Sequence, residues 1–255
     1  MALTFGTTKD QSARWIRALV YGPSGIGKTT SAKTLPPDRT LIVSFERKLL
    51  PLAGIGFPCT IINDWQEVEE LVDMFATGEP VRIDGKEIKT IFIDSLTSMG
   101  ELAKTHVLKK ARPELYKRKT KGRSEAPENI YDDQMEQPDW AKYNSIMCNA
   151  IVKFTALPCN IIFTALEREG EGSSRRLMLD GKTGKMANSF FDLVFYMREI
   201  AGEPPRRVFQ TDITFEADLF AKGSGGVLDL YEEANWAHVM RKLHDAQHST
   251  GKEAG

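Results

Sequence analysis

The run Gly22-Pro23-Ser24-Gly25-Ile26-Gly27-Lys28-Thr29 constrains the fold more tightly than any other stretch of the 255 residues. It fits the pattern G-x-x-x-x-G-K-[ST], the P-loop, and its surroundings suit that pattern. Residues 15–21 are apolar and β-branched enough for a short buried strand, and residues 30–35 read as the start of a helix. Strand, glycine-rich turn and helix together make a phosphate cradle. The glycines let successive N–H groups curl around an anion, the helix N-terminus adds its dipole, and Lys28 supplies a positive charge. Gly22 through Thr30 form the expected phosphate-contacting set, with the Thr29 hydroxyl offered to Mg²⁺. A glycine-rich turn with an incidental lysine would not need that strand and helix around it.

Such a loop needs carboxylates opposite it, and two strands are predicted to end on them. Thr40 to Phe45 reads as a buried strand leading to Glu46. A carboxylate at the C-terminal edge of a parallel strand next to the P-loop is placed to act on water attacking a γ-phosphate. Its competing use is a surface pair with Arg47 or Lys48. Thr90-Ile-Phe-Ile93 suits a buried central strand and stops on Asp94. There the acid can hold Mg²⁺ directly or through water. Capping of the next helix competes for Asp94, but Ser95 or Thr97 can cap instead. A fourth buried strand over 159–164 leads to Glu167, so Thr164 and Glu167 are candidate sensors of the γ-phosphate. The alternative for them is a strand-end charge facing water.

Between these strands the apolar spacing predicts helices. Val68, Leu71, Val72 and Phe75 form one stripe over 65–75, with Asn63 or Asp64 as cap. Further helices are expected over 98–108 and 140–157, the latter with Ile146, Ala150, Val152, Lys153 and Phe154 on its buried side. A closing helix over 229–243 would use Leu230, Ala234, Ala237, Met240 and Leu243. Residues 206–211 and 214–220 read as edge strands or a hairpin. Residues 1–14 are expected to be a loose arm and 245–255 a frayed tail, leaving 15–244 as one domain.

Charge is distributed unevenly. The whole chain carries 34 Lys and Arg against 35 Asp and Glu, so no global field draws it to nucleic acid and any such contact must be local. Between Lys104 and Arg123 there are nine basic residues and one acid, Glu114. Lys109, Lys110, Arg112, Lys117, Arg118, Lys119, Lys121 and Arg123 sit there beside Tyr116, at the start of a polar excursion over about 109–137. A second basic, glycine-rich stretch, 170–187, carries Arg175, Arg176, Lys182 and Lys185. Both suit the phosphate backbone of single-stranded DNA, with a solvated helix end and linker as the alternative. Lys222, in the turn Lys222-Gly-Ser-Gly-Gly226, is flexible filler or a cation offered to a neighbouring subunit. Cys59, Cys148 and Cys159 have no metal-ligand spacing and suit a reducing compartment. With no signal-peptide pattern and no membrane-length apolar run, a cytoplasmic protein without membrane contact is expected.

The order of these pieces resembles the RecA-type ATPase core, and more closely the short phage-encoded RecA-like proteins, some of which anneal single strands or act as minimal recombinases. The residues that carry the resemblance are Gly22–Thr29, Ser44-Phe-Glu46, Ile91-Phe-Ile-Asp-Ser95, Thr164-Ala-Leu-Glu167 and Ala221-Lys-Gly-Ser-Gly-Gly226. Members often have histidine where Leu166 stands. The resemblance implies an α/β fold with a mostly parallel central sheet flanked by helices and a C-terminal antiparallel edge. It also implies ATP and Mg²⁺ as ligands, Lys28 and Glu46 as catalytic groups, and Thr29 and Asp94 at the metal. Lys222 would act in trans within a ring or filament of identical subunits. Single-stranded DNA would be the partner. A P-loop kinase for a small molecule, with Arg175 and Arg176 on its lid, and an ATP-set scaffold without DNA-stimulated hydrolysis are the rival expectations.

Overall fold

The computed structural model describes residues 15–111, 135–170, 174–214, 219–223 and 225–249. In chain order the elements are β1 (Arg17–Gly22), α1 (Lys28–Ser31), β2 (Thr40–Ser44), β3 (Cys59–Ile61), α2 (Trp65–Ala76), β4 (Arg82–Ile83), β5 (Lys86–Glu87), β6 (Thr90–Asp94) and α3 (Leu96–Ala111). They continue with α4 (Gln137–Thr155), β7 (Asn160–Glu169), β8 (Arg175–Leu177), α5 (Gly181–Met186), β9 (Leu193–Ile200), β10 (Arg206–Gln210), β11 (Tyr231–Glu233) and α6 (Trp236–Ser249).

The main sheet runs β3-β2-β6-β7-β1-β9-β10-β11. Every pairing from β3 to β9 is parallel; β9–β10 and β10–β11 are antiparallel, and β8 folds back antiparallel on the end of β7. A mostly parallel sheet flanked by helices, with an antiparallel edge towards the C-terminus, is thus the architecture. The strands are apolar on both faces because both are covered. Leu19, Val43, Ile91, Ile93, Ile161 and Phe163 pack on the side of α2, α3 and α4. Ala18, Val20, Ile42, Phe92, Ile162 and Phe195 alternate to the other side, against Ala32, Leu35, Trp236 and Val239. Residues one apart along a strand therefore belong to different cores. Among the described residues no helix is long and apolar enough to cross a membrane.

Local signals decide several boundaries. Asp64 accepts a hydrogen bond from the Gln66 N–H at 3.0 Å, while Glu67 reaches back to the Asp64 N–H at 3.3 Å, so α2 opens on a capping box. Its expected stripe, Val68, Leu71, Val72 and Phe75, is buried.

Other expectations are corrected. The helix after the P-loop is one α turn followed by a short 3₁₀ stretch, because Pro36 and Pro37 stop the chain before β2. In α4 the buried side is Tyr143, Met147, Ala150, Ile151 and Phe154, whereas Val152 and Lys153 face solvent. The strand paired with β10 on its outer side is β11, from a segment read as helix, and Leu230 is exposed. The closing helix starts only at Trp236. Within the second basic stretch, β8 pairs with β7, and Thr183 of α5 donates to Asn144 Oδ1 from its backbone N–H at 3.0 Å and from its hydroxyl at 2.9 Å. The tail expected from 245 instead begins as helix, since α6 runs to Ser249; the rest of the tail, 250–255, the expected arm, 1–14, and most of the basic excursion, 112–134, lie outside the described residues.

Candidate active site

β1 delivers the chain into the P-loop at the carboxyl ends of the parallel strands. Two glycines are required there by geometry. A Cβ on Gly22 would stand 2.5 Å from the Met197 carbonyl oxygen, so only glycine lets β1 lie this close to β9. Gly27 has φ +108°, a conformation that side chains rarely tolerate. With α1 so short, phosphate affinity must come mainly from loop N–H groups and Lys28 rather than from a helix dipole. Lys28 is buried and donates from Nζ to the carbonyls of Gly22 at 2.8 Å and Pro23 at 2.7 Å. Burial pushes its ammonium down to about 8, with Asp94 and Glu167 pulling the other way. Two neutral carbonyls are poor compensation for a buried cation, and an incoming phosphate would supply the missing charge.

β6 brings Asp94 to the same place. One carboxylate oxygen accepts from Thr29 Oγ1 at 2.7 Å and the other from Thr164 Oγ1 at 2.5 Å. Helix α3 does not draw on Asp94, since Ser95 Oγ accepts from the Ser98 N–H at 3.2 Å and caps the helix. Thr164 lies inside the long β7, fully buried, rather than at its end. Its hydroxyl is spent on Asp94, so it positions the carboxylate instead of facing a phosphate.

Glu46, two residues past β2, lies 2.6 Å from Lys48 Nζ and accepts a hydrogen bond from Ser98 Oγ. The Lys48 contact first, and Ser98 second, hold its carboxyl below the usual range, so it is ionised at neutral pH. The surface pairing and the site-facing position considered for Glu46 coexist. Ser24, Gly25, Gly27, Lys28, Thr29, Thr30, Glu46, Lys48, Pro51, Asp94, Ser95 and Leu166 line one cavity of about 270 Å³.

A P-loop strand separated by a single strand from an acid-ended one, with a second carboxylate across the cavity, is an NTPase arrangement, and residues 14–223 match the family described as AAA domain. The chain belongs to that AAA-domain family. No curated protein matches it. The flagellar accessory protein FlaH from Methanocaldococcus jannaschii is a similar solved structure, 10% identical over 85% of this chain and 88% of that one, with a TM-score of 0.39.

The AAA domain's donor set fits magnesium. The Thr29 hydroxyl and the Asp94 carboxylate are hard oxygen ligands already facing each other across the cavity floor.

Other candidate residues fall elsewhere. Glu167 is half-buried, with Arg175 Nη1 3.8 Å away; burial first, then Glu167, pushes the Tyr196 hydroxyl well above its ordinary range. Lys222 donates to the Phe191 carbonyl at 2.8 Å and does not line this cavity. Lys109 and Lys110 are exposed in the last turn of α3. Arg175 pairs with Glu169 at 2.7 Å, while Arg176, Lys182 and Lys185 are exposed. Arg112, Lys117, Arg118, Lys119, Lys121 and Arg123 lie outside the described residues. Ser98 was not anticipated at the site, and Lys48, considered only as a surface partner of Glu46, also lines the cavity. The serine sits one helical turn after a strand-end acid, a spacing that could have flagged it.

Proposed function

We propose that this AAA domain binds ATP with Mg²⁺, hydrolyses it to ADP and phosphate, and does so under the control of single-stranded DNA. The observation that carries the ATPase reading is the convergence of Lys28, Thr29, Asp94 and Glu46 on one cavity at the carboxyl ends of parallel strands. Lys28 would exchange its two carbonyl partners for the β- and γ-phosphates. Thr29 and Asp94 would hold the metal, which neutralises charge on the phosphate oxygens when bound. Glu46 orients water for in-line addition to the γ-phosphorus as the bond to the β–γ bridging oxygen breaks. Ser98 and Lys48 fix the direction of its carboxylate.

The DNA part of the reading is supported by one connection in the fold. The helix that supplies Ser98 to Glu46 ends on Lys109 and Lys110, at the entry to the basic segment. A polyanion held there acts on the same rigid element that touches the catalytic carboxylate. In this reading the protein works as a ring or filament in strand annealing or recombination, and Lys222, apart from its own cavity, serves a neighbouring subunit.

Phosphate release from Mg²⁺-ATP, with and without single-stranded DNA and beside particle size in solution, tests both parts. Turnover that DNA alters, in particles larger than one chain, is expected. No turnover under either condition removes the ATPase reading; turnover indifferent to DNA removes the DNA half and leaves a scaffold that uses ATP to set its assembly.

A further inference from the structure

The geometry points to Arg207 as a second phosphate-binding cation of the P-loop, acting within the same chain on the α- and β-phosphates; this rests on the nucleotide reading above. Arg207 is the second residue of β10 and is far in sequence from residues 22–29. The register brings it there. β9 lies against β1, and β10 pairs antiparallel with β9, placing Phe209 opposite Met197 and Arg207 opposite Glu199. Phe209 and Met197 are buried together in the core under the P-loop helix. Two residues along, on the same face, Arg207 emerges at the top and lies across the loop. A methyl group added to Gly27 would stand 3.2 Å from Arg207 Nη1, 3.4 Å from its Cδ and 3.5 Å from Met197 Cε.

The side chain thus lies beside Gly27 of the loop, exposed to solvent and not itself part of the cavity lining, with its backbone fixed in the sheet and its carbonyl accepting from the Ala234 N–H at 3.4 Å. Among the described residues no hydrogen bond or ion pair engages the guanidinium, although Glu199 is its neighbour across the ladder. Arg207 is exposed to solvent, so its guanidinium is free to turn onto an anion seated between it and the N–H donors of the turn. Its planar fork matches two phosphate oxygens.

The strand order decides which phosphates it meets. Glu46, Asp94 and Leu166 come from strands on the β7 side of β1, so the γ-phosphate and the attacking water belong on that side. Arg207 comes from the β9 side. It therefore meets the part of the chain common to ATP and ADP.

Equilibrium binding of Mg²⁺-ATP, Mg²⁺-ADP and AMP to the wild-type chain and to Arg207→Ala and Arg207→Lys tests this. Arg207→Ala is expected to weaken ATP and ADP alike by about tenfold or more, with Arg207→Lys between it and wild type, and with an unchanged melting temperature. Wild-type affinity for ATP in Arg207→Ala overturns the inference, and so does a loss confined to ATP, which would put the arginine at the γ-phosphate. Equal loss together with a lowered melting temperature overturns it in favour of a packing role. A wild-type chain that binds none of the three nucleotides instead removes the nucleotide reading, a result distinct from failure of Arg207 alone.

Discussion

The two flanks of β1 differ in kind. On the β7 side the strands are parallel and bring three polar side chains to the site: Glu46 after β2, Asp94 closing β6, and Thr164 behind Asp94 from inside β7. On the β9 side the sheet turns antiparallel and supplies support. Trp236 of α6 is fully buried, lies 4.8 Å from the Phe209 ring and 5.8 Å from Phe195, and donates from its indole N–H to Ser31 Oγ at 2.9 Å. Its backbone N–H donates to Thr34 Oγ1 at 2.9 Å. The stretch following the P-loop, too short to stand on its own hydrogen bonds, is thereby held from outside. One flank reacts and the other clamps.

The comparison breaks most sharply at Glu46. Glu46→Gln keeps the shape and the Ser98 contact but removes the charge, and turnover is expected to fall by about 10²–10⁴-fold with ATP affinity retained. Phosphate release measured beside equilibrium binding reads both quantities. Preserved turnover would move the catalytic role off this flank altogether. Trp236→Ala should have the opposite signature: a stability loss of about 3–5 kcal/mol in urea denaturation, from the cavity left among Phe195, Phe209 and Val239. Trp236→Phe fills most of that space and loses only the indole hydrogen bond to Ser31, so it should cost about 1 kcal/mol. If the alanine and phenylalanine variants are equally stable, the clamp is not a matter of packing.

Within the reactive flank, Thr164→Val tests whether a buried hydroxyl tunes the metal ligand. The variant conserves shape and removes one of the two hydrogen bonds that orient Asp94. The Mg²⁺ concentration giving half-maximal turnover should rise by about tenfold, the size expected for one hydrogen bond to a charged group. An unchanged Mg²⁺ titration would leave Thr164 as core filling.

The same division marks what could be read before the fold was known. Doubly covered parallel strands announce themselves as unbroken apolar runs, so β1, β2, β6 and β7 were legible, and an acid that ends such a run, as Glu46 and Asp94 do, is legible with it. The antiparallel edge carries no such mark. In β11 only Glu232 is buried while Tyr231 and Glu233 are exposed, and helical spacing downstream of Leu230 masked its strand character. Thr164 looked like a strand terminus because polarity rises after it, yet β7 continues to Glu169 once β8 pairs with its far end. Ser98 and Glu46 meet across 52 residues. Gly27 and Arg207 meet only because β9 lies against β1. Contacts of that kind depend on strand order, and no local pattern encodes it.

Lys28 stands where the two flanks meet, and its titration gives the smallest effect. Burial has pushed its ammonium down to about 8 in the free protein. Phosphate oxygens set against the Nζ would favour the charged form and raise that value. Below about pH 8 the amine is already charged and binding takes up no proton, so nucleotide affinity should be flat. Above it the free protein holds a neutral amine that must be recharged on binding, and affinity should fall with rising pH by up to about tenfold per unit. A terminal phosphate, with a second pKa of about 6, has finished ionising by then and does not obscure the trend. Binding titrations with ADP between about pH 7 and 9.5 read this directly, and Lys28→Arg, whose guanidinium stays charged throughout, should remove the slope. A wild-type affinity that stays constant to the top of that range would mean the Lys28 ammonium keeps its charge despite its burial, held by Asp94 and Glu167 from the reactive flank.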